Sequence, residues 1–383
     1  MQDTITWSDK VEMIKFILTT KQFTNGPKVR QFEKEWSRWL GCDYSLFVSS
    51  GSTANLLLVS AIKEKYNLKD GDKVIVPACT WVTNVAPIIQ CGLTPIFCDI
   101  SLEHYSFDLK HLEKISKQHT DIKMIFVTHL LGFSAPTHAI KKIFPKALLI
   151  EDICESHGCR DYTGRINGSE FNGSTFSFYF GHHMTTVEGG MVSTNDYELY
   201  KLMKIKRSHG MARELPPDEF EEAKKMYPEV NSKFMFLTDG YNFRNHEICA
   251  VLGLSQLKRL NDMIESRKNN YWQFLEVLDP YKEHFYMPTS SITNSNFAMP
   301  LVAINGKKSA LLKAELESAG IETRPIVSGN LLTQPFLKKY ELEPESSNNI
   351  DVVHNNGVYI GNNHFIGNKE FSILNTVLSK VFS

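Results

Sequence analysis

Two adjacent histidines, His182 and His183, close an apolar stretch and stand just before Glu188-Gly-Gly. An imidazole with its ordinary pKa of ~6.5 takes up and releases protons near neutral pH. Zinc ligation is the competing use of such a pair. Adjacent side chains diverge, however, and no Cys or acid is spaced to complete a tetrahedral set, so no metal is expected. A hydrogen-bonded core histidine is the plain alternative for either position. Upstream, Leu149-Ile-Glu-Asp-Ile-Cys-Glu-Ser-His-Gly158 places Asp152 and Glu155 at the end of an apolar strand. A carboxylate there is costly unless paired. Asp152 can pair with the protonated nitrogen of a pyridine ring, and Glu155 can reach such a ring from a neighbouring position; both can equally cap a strand–helix turn.

Three further groups fit a flat, phosphorylated ligand. Ser49-Ser-Gly-Ser-Thr-Ala-Asn55 opens a helix, whose first N–H groups and partial positive charge suit a phosphate. Gly51 permits close approach, and Ser52 and Thr53 add hydroxyls; an ordinary N-cap would read the same. Trp81, in Pro77-Ala-Cys-Thr-Trp-Val-Thr83, can stack on a planar ring or pack in the core. Arg213 and Arg324 match phosphate geometry and are candidate partners of a substrate diphosphate, against the usual solvated role of arginine.

These residues need a frame. Short apolar runs at Ser45–Val48, Lys73–Val76, Thr94–Cys98, Lys123–Thr128, Ala147–Glu151, Ser174–Phe180 and Gly190–Thr194 alternate with helical stretches. That alternation predicts an α/β domain with a mostly parallel sheet covered on both faces. Ligands of such sheets bind beyond the carboxyl ends of the strands, where most of the marked residues fall. Helix-like spacing occurs over Trp7–Thr20, at Val11, Ile14, Ile17 and Leu18, and over Pro27–Leu40, which Gly41 ends. A long helix, broken somewhere inside, is expected from Asn245 to about Leu278. A strand at Phe297–Ile304 and helices at Lys308–Ala319 and Glu370–Val381 predict a smaller α+β C-terminal domain. The expected division is 1–252 and 253–383. The charged stretch 211–235, with Pro216, Pro217 and Pro228, reads as an excursion over the surface.

Bulk properties narrow the class. The 383 residues are 42% apolar and 22% charged, with a formal net charge of -1, the balance of a soluble protein with no call for nucleic acid. No apolar run approaches the ~20 residues that span a bilayer. The N-terminus lacks the pattern of a signal peptide. Seven scattered cysteines read as reduced thiols in a cytoplasmic protein.

The segment Ser174-Thr-Phe-Ser-Phe-Tyr-Phe-Gly-His-His-Met-Thr-Thr-Val-Glu-Gly-Gly-Met-Val192 resembles the cofactor-lysine strand of the nucleotide-sugar aminotransferases. The whole chain resembles that sugar-modifying branch of the fold-type-I pyridoxal phosphate (PLP) enzymes. The most specific stretches are 49–56, 149–158, 174–194 and 239–254. The resemblance implies a three-layer fold-type-I transferase architecture. The family's lysine lies six residues before the Glu-Gly-Gly, at the position of His182, and its glutamine stands where this chain has Glu155. An imidazole cannot form the lysine's covalent link, so PLP and pyridoxamine phosphate (PMP) should bind non-covalently. By the same resemblance Ser177 contacts the cofactor phosphate, and Asn242 and Arg244 reach the neighbouring subunit's site in a homodimer.

Both departures, with Tyr179-Phe-Gly-His-His-Met184 and Glu151-Asp-x-Cys-Glu-Ser-His-Gly158, are similar to the 3-dehydratase type that acts on GDP-4-keto-6-deoxy sugars. Glu322-Thr-Arg-Pro-Ile-Val-x-Gly-Asn330 resembles its sugar-site loop. An iron–sulfur relative that acts on CDP-sugars needs C-terminal cysteines, and none follows Cys249 here. The implied reaction removes the carbon-3 hydroxyl of a six- or seven-carbon nucleotide sugar. L-Glutamate forms PMP, His182 moves the protons, and ammonia is released, in dideoxysugar biosynthesis for a surface polysaccharide. Two other readings remain: an aminotransferase whose lysine has been replaced, which the change at Glu155 argues against, and a non-enzymatic PLP-binding sensor, for which no basic N-terminal module is seen.

Overall fold

Strands this apolar must be covered on both faces, and their alternate residues divide accordingly. In the computed structural model, which describes residues 4–289, 291–340 and 348–383, seven strands form one sheet: β1 (Tyr44–Val48), β2 (Lys73–Pro77), β3 (Thr94–Cys98), β4 (Met124–Thr128), β5 (Leu148–Asp152), β6 (Gly173–Ser177) and β7 (Gly190–Thr194). Their order is β1-β7-β6-β5-β4-β2-β3, and β7 alone runs against the rest. Val74, Val76 and Phe126 face one layer, where they meet Leu57, Leu58 and Ile62 of the helix Gly51–Lys65. Ile75, Ile125 and Val127 face the other, against Leu112, Ile115 and Ile140. On that side Phe47, Phe176 and Met191 bury Phe32 and Trp36 of the helix Pro27–Leu40. Pro27 starts that helix and Gly41, at φ 82°, ends it, as the sequence predicts.

A second, antiparallel sheet is built from β8 (Ala298–Val302), β9 (Thr323–Pro325) and β10 (Gly357–Gly361), in the order β8-β10-β9. The helices Gly306–Ser318 and Asn368–Phe382 cover it through Leu312, Leu316, Leu374 and Leu378. The expected boundary between residues 252 and 253 falls inside the helix Glu247–Leu257. Along the next helix, Leu260–Leu278, the packing changes hands: Leu260, Met263 and Ile264 join the Trp36 cluster, and Tyr271, Phe274 and Leu278 join the small-sheet core.

The long helix is broken as expected, and the break falls at Arg259, which leaves helical dihedrals (φ -117°, ψ 8°) and whose guanidinium pairs with the buried Asp9. Other expectations shift. The apolar stripe of the helix Trp7–Thr19 does not face this chain's core: Ile14, Ile17 and Leu18 are exposed, and Asp9 is what it buries. Strand β6 stops at Ser177 rather than Phe180, and a turn in which the His182 N–H donates to the Tyr179 carbonyl follows. The excursion at 211–235 carries a helix of its own, Pro217–Met226. Among the described residues no helix is long and apolar enough to cross a membrane.

Candidate active site

Since β1, β2, β4, β5 and β6 run parallel, their carboxyl ends reach one edge of the sheet. A cavity of about 970 Å³ opens there. Its wall takes Gly51 and Ser52 from the helix start after β1, Trp81 from the loop after β2, Asp152 and Glu155 after β5, Ser177 at the end of β6, His182 from the following turn, and Arg324 from β9. Residues 130 or more positions apart in the chain thus meet because their strands end on one edge.

Ser50 caps the helix: its hydroxyl accepts from the Thr53 N–H at 3.1 Å, and the Ser50 N–H donates to the Thr53 hydroxyl at 3.0 Å. Thr53 is thereby engaged in the cap and does not line the cavity. Gly51 is needed for contact rather than for a left-handed turn: a Cβ there would lie 2.7 Å from the Ser177 Cβ and 3.1 Å from its Oγ. The first free N–H groups of the helix and the Ser177 hydroxyl therefore face one small space, suited to a phosphate. Trp81 is 56% exposed at the cavity mouth.

Asp152 is buried, and three N–H groups serve it. Its Oδ2 accepts from Asn55 Nδ2 at 2.9 Å and Asn84 Nδ2 at 2.8 Å, and its Oδ1 from the Cys154 N–H at 2.9 Å. No motif assigns Asn55 or Asn84 a role; the one available signal is an amide in the apolar run Ala54-Asn55-Leu56 and another three residues after Trp81. Glu155 accepts from the Leu131 N–H at 3.0 Å. Burial pushes its carboxyl up to about 7, against that N–H and with help from the charge of Asp152.

His182 meets the cavity with its Nδ1 buried and without a partner. Burial takes its imidazole down to about 4; Asp152 opposes the shift and the Arg267 guanidinium adds to it. His183 is fully buried behind it, off the cavity wall, with Nε2 3.2 Å from the Ser295 carbonyl. Behind both lies His157, held well below the ordinary range by burial, its ring 5.3 Å from that of His183 and 6.2 Å from that of His182. Arg267, buried and lining the cavity, gives Nη1 to the carbonyls of Phe297 (3.3 Å) and Asn362, and no carboxylate pairs with it among the described residues. Arg267 and Asn84 lie in no marked sequence segment, and His157 and Asn55, though inside such segments, take no role from them.

Arg324 pairs with Glu322, Nε at 3.0 Å and Nη2 at 2.8 Å, at the open end of the cavity. Arg213 and Asn242 stand elsewhere. Arg213 is exposed on the short turn Ala212–Glu214, and Asn242 is exposed with its Oδ1 accepting from Arg244 at 3.2 Å.

The donor set fits PLP: N–H groups and a hydroxyl for a phosphate, an oriented carboxylate for a ring N–H, an aromatic at the mouth. No lysine is among the described residues of the wall, so the set offers the cofactor's aldehyde no covalent anchor.

Comparison with known proteins agrees with this geometry. The model of the DegT/DnrJ/EryC1/StrS aminotransferase family matches residues 5–370. A GDP-4-keto-6-deoxy-D-mannose 3-dehydratase of Yersinia pseudotuberculosis is 35% identical, over 98% of this chain and 97% of its own. The solved structure of the E. coli GDP-4-keto-6-deoxy-D-mannose-3-dehydratase with bound hydrated PLP superposes with a TM-score of 0.90 at 31% identity, covering 98% of each chain. A GDP-4-keto-6-deoxymannose-3-dehydratase with a trapped PLP–glutamate geminal diamine also gives 0.90, at 32% identity and 98% of each chain.

Proposed function

Because the chain belongs to the DegT/DnrJ/EryC1/StrS aminotransferase family, we propose that it is a PLP-dependent nucleotide-sugar 3-dehydratase. Its substrate is a GDP-4-keto-6-deoxy sugar, which loses the carbon-3 hydroxyl; L-glutamate is the amino donor and ammonia is released. When bound, PLP and its amino form PMP supply an electron sink conjugated to the substrate. The reading rests on one observation above the rest: His182, which the sequence resemblance sets at the family's lysine position, lines the wall, and the described wall has no lysine at all.

The chain's own residues divide the work. Burial leaves His182 neutral at physiological pH, so it accepts a proton, and the imidazolium then offers that proton to the departing hydroxyl. A lysine would instead hold the cofactor and favour amine exchange. Asp152 would accept from the cofactor's ring N–H, and Glu155, on the same wall, would lie within reach of the ring. Gly51, Ser52, Thr53 and Ser177 form the phosphate cup, Thr53 by fixing the helix start. Trp81 covers the ring face. Arg324, freed from Glu322, takes the substrate diphosphate. Arg213 and Asn242 stand away from this chain's cavity, a placement suited to a homodimer in which Asn242 serves the partner's site. Wall residues from both sheets suit a substrate held between two domains, 1–252 and 253–383. Seven unpaired cysteines suit the cytoplasm.

The test supplies L-glutamate and a GDP-4-keto-6-deoxy sugar to the PLP-loaded protein. Catalytic release of ammonia with a 3-deoxy sugar is expected. A 4-amino sugar formed without ammonia would make the protein an aminotransferase.

A further inference from the structure

The carboxylate of Asp152 stands at the end of two chains of hydrogen bonds that all point the same way. In the first, the Thr80 hydroxyl donates to Asn84 Oδ1 at 2.8 Å. Its single proton is thereby spent, so the Thr128 hydroxyl, 2.8 Å away, is the donor to Thr80. Asn84 Nδ2 then donates to Asp152 Oδ2 at 2.8 Å. In the second chain, Thr175 Oγ1 donates to Asn55 Oδ1 at 2.6 Å, and Asn55 Nδ2 donates to the same Oδ2 at 2.9 Å and to the Thr83 carbonyl at 3.1 Å. Rotating either amide by half a turn would set its oxygen against the carboxylate. The carboxylate can only accept, so it fixes the amide orientation, and the hydroxyls, free to donate, hold the amide oxygens in place.

All six side chains are buried: Asn55, Asn84, Thr80 and Thr175 at 0%, Asp152 at 4% and Thr128 at 5% exposure. They come from the helix Gly51–Lys65, the turn Val82–Asn84, the loop after β2, and strands β4, β5 and β6. An arrangement that draws on so many elements to aim one carboxylate is more than local capping, because the Cys154 N–H alone would cap the β5 end. With Oδ2 saturated by two amides and Oδ1 engaged once, the group turned to the cavity is an oriented acceptor.

We propose that Asn55 and Asn84, aligned by Thr175, Thr80 and Thr128, are positioning residues that hold Asp152 as a fixed acceptor for the ring N–H of the cofactor. The inference rests on the PLP reading above. It goes beyond it by assigning the strength of that ring contact to five side chains that act through Asp152.

The experiment compares PLP with 1-deaza-PLP, which carries C–H in place of the ring nitrogen, in equilibrium binding to the apoprotein. Wild type should prefer PLP by roughly tenfold or more, the scale of a charge-assisted hydrogen bond. Asn84→Ala, Asn55→Ala and the near-isosteric Thr80→Val should shrink that preference to under about threefold, and Thr80→Ser should restore it. A role confined to packing would lower both affinities together and leave the preference at the wild-type value, which would overturn the clamp while leaving the cofactor reading intact. Wild type that binds neither compound would remove the cofactor reading and the clamp with it. Should an Asn variant fail to fold, the Thr80→Val and Thr80→Ser pair decides the matter alone.

Discussion

At Asp152 the carboxylate, both amides and the three threonine hydroxyls all have partners, whereas around His182 five buried nitrogen atoms have none among the described residues. Those five are both ring nitrogens of His157, Nδ1 of His182, Nδ1 of His183 and Nε of Arg267. The two regions share one cavity and are built on opposite terms. The Asp152 region is a closed hydrogen-bond network, which in a low dielectric rigidifies and specifies a single geometry. The histidine region carries a guanidinium without a counter-ion and three imidazoles that burial forces to the neutral form. Unpaired buried groups cost stability. Under the proposed function the difference separates holding from reacting: the satisfied side would orient the ligand, and the unsatisfied side would keep a base free of proton and partner.

The largest test of that division replaces the base. His182→Lys should lower the dehydration rate by about a hundredfold or more, the scale of a lost general acid–base group. It should also allow borohydride to fix the cofactor at residue 182, read by mass spectrometry, where wild type shows no adduct. Retained dehydration would place the base elsewhere.

The histidine region should also fail first in acid. His157, His182 and His183 are held below the ordinary 6.5 in the folded chain. Unfolded they bind protons as pH falls below that value; folded they do not. Their stability contribution is therefore complete above ~6.5 and is lost as pH drops, at up to about 4 kcal/mol per pH unit for three protons. Urea unfolding from pH 7 to 4.5 measures the slope. His157→Phe, in a box of Trp36, Phe176 and Phe178, should lower it by about a third. An unchanged slope would mean that His157 is not neutral in the fold.

Glu155 stands between the two regions, and its carboxyl is pushed up to about 7. Its protonated form is lost as pH rises through that value. If catalysis uses that proton, kcat/KM falls about tenfold per pH unit above 7. Glu155→Gln keeps a neutral donor and should flatten that limb. A limb that persists in the variant belongs to another group.

The smallest expected effect sharpens the border. His183 is off the wall, and Asn can replace its hydrogen bond to the Ser295 carbonyl. His183→Asn should stay within about threefold of wild type, as should replacement of Cys154 and Cys159 by Ser or Ala. Burial pushes the Cys154 thiol well up, and Cys159 is fully buried, its sulfur accepting from Asn167 Nδ2 at 3.2 Å. An inactive His183→Asn beside an active His182→Lys would transfer the base to His183.

Periodicity and turn chemistry sufficed for most strands of the large sheet, for the helix Pro27–Leu40 and for the first strand of the smaller sheet, because apolar alternation and Pro or Gly at helix ends act within a few residues; the short β9 and β10 went unread. The same local chemistry marked Gly51, Asp152 and Glu155, at or just past a strand end or at a helix start, while the family resemblance marked Ser177 and His182. What local pattern could not carry was partnership. Asn55 and Asn84 gain their place only because β2, β5 and the helix Gly51–Lys65 end side by side. The neutral state of His182 depends on burial and on Arg267, 85 residues later in the chain. The break at Arg259 depends on Asp9, 250 residues earlier. Sequence alone determined which chemical groups this protein has and which strand ends present them. Tertiary structure decided which of them are satisfied and which are left bare, because desolvation and hydrogen bonding are properties of neighbours in space.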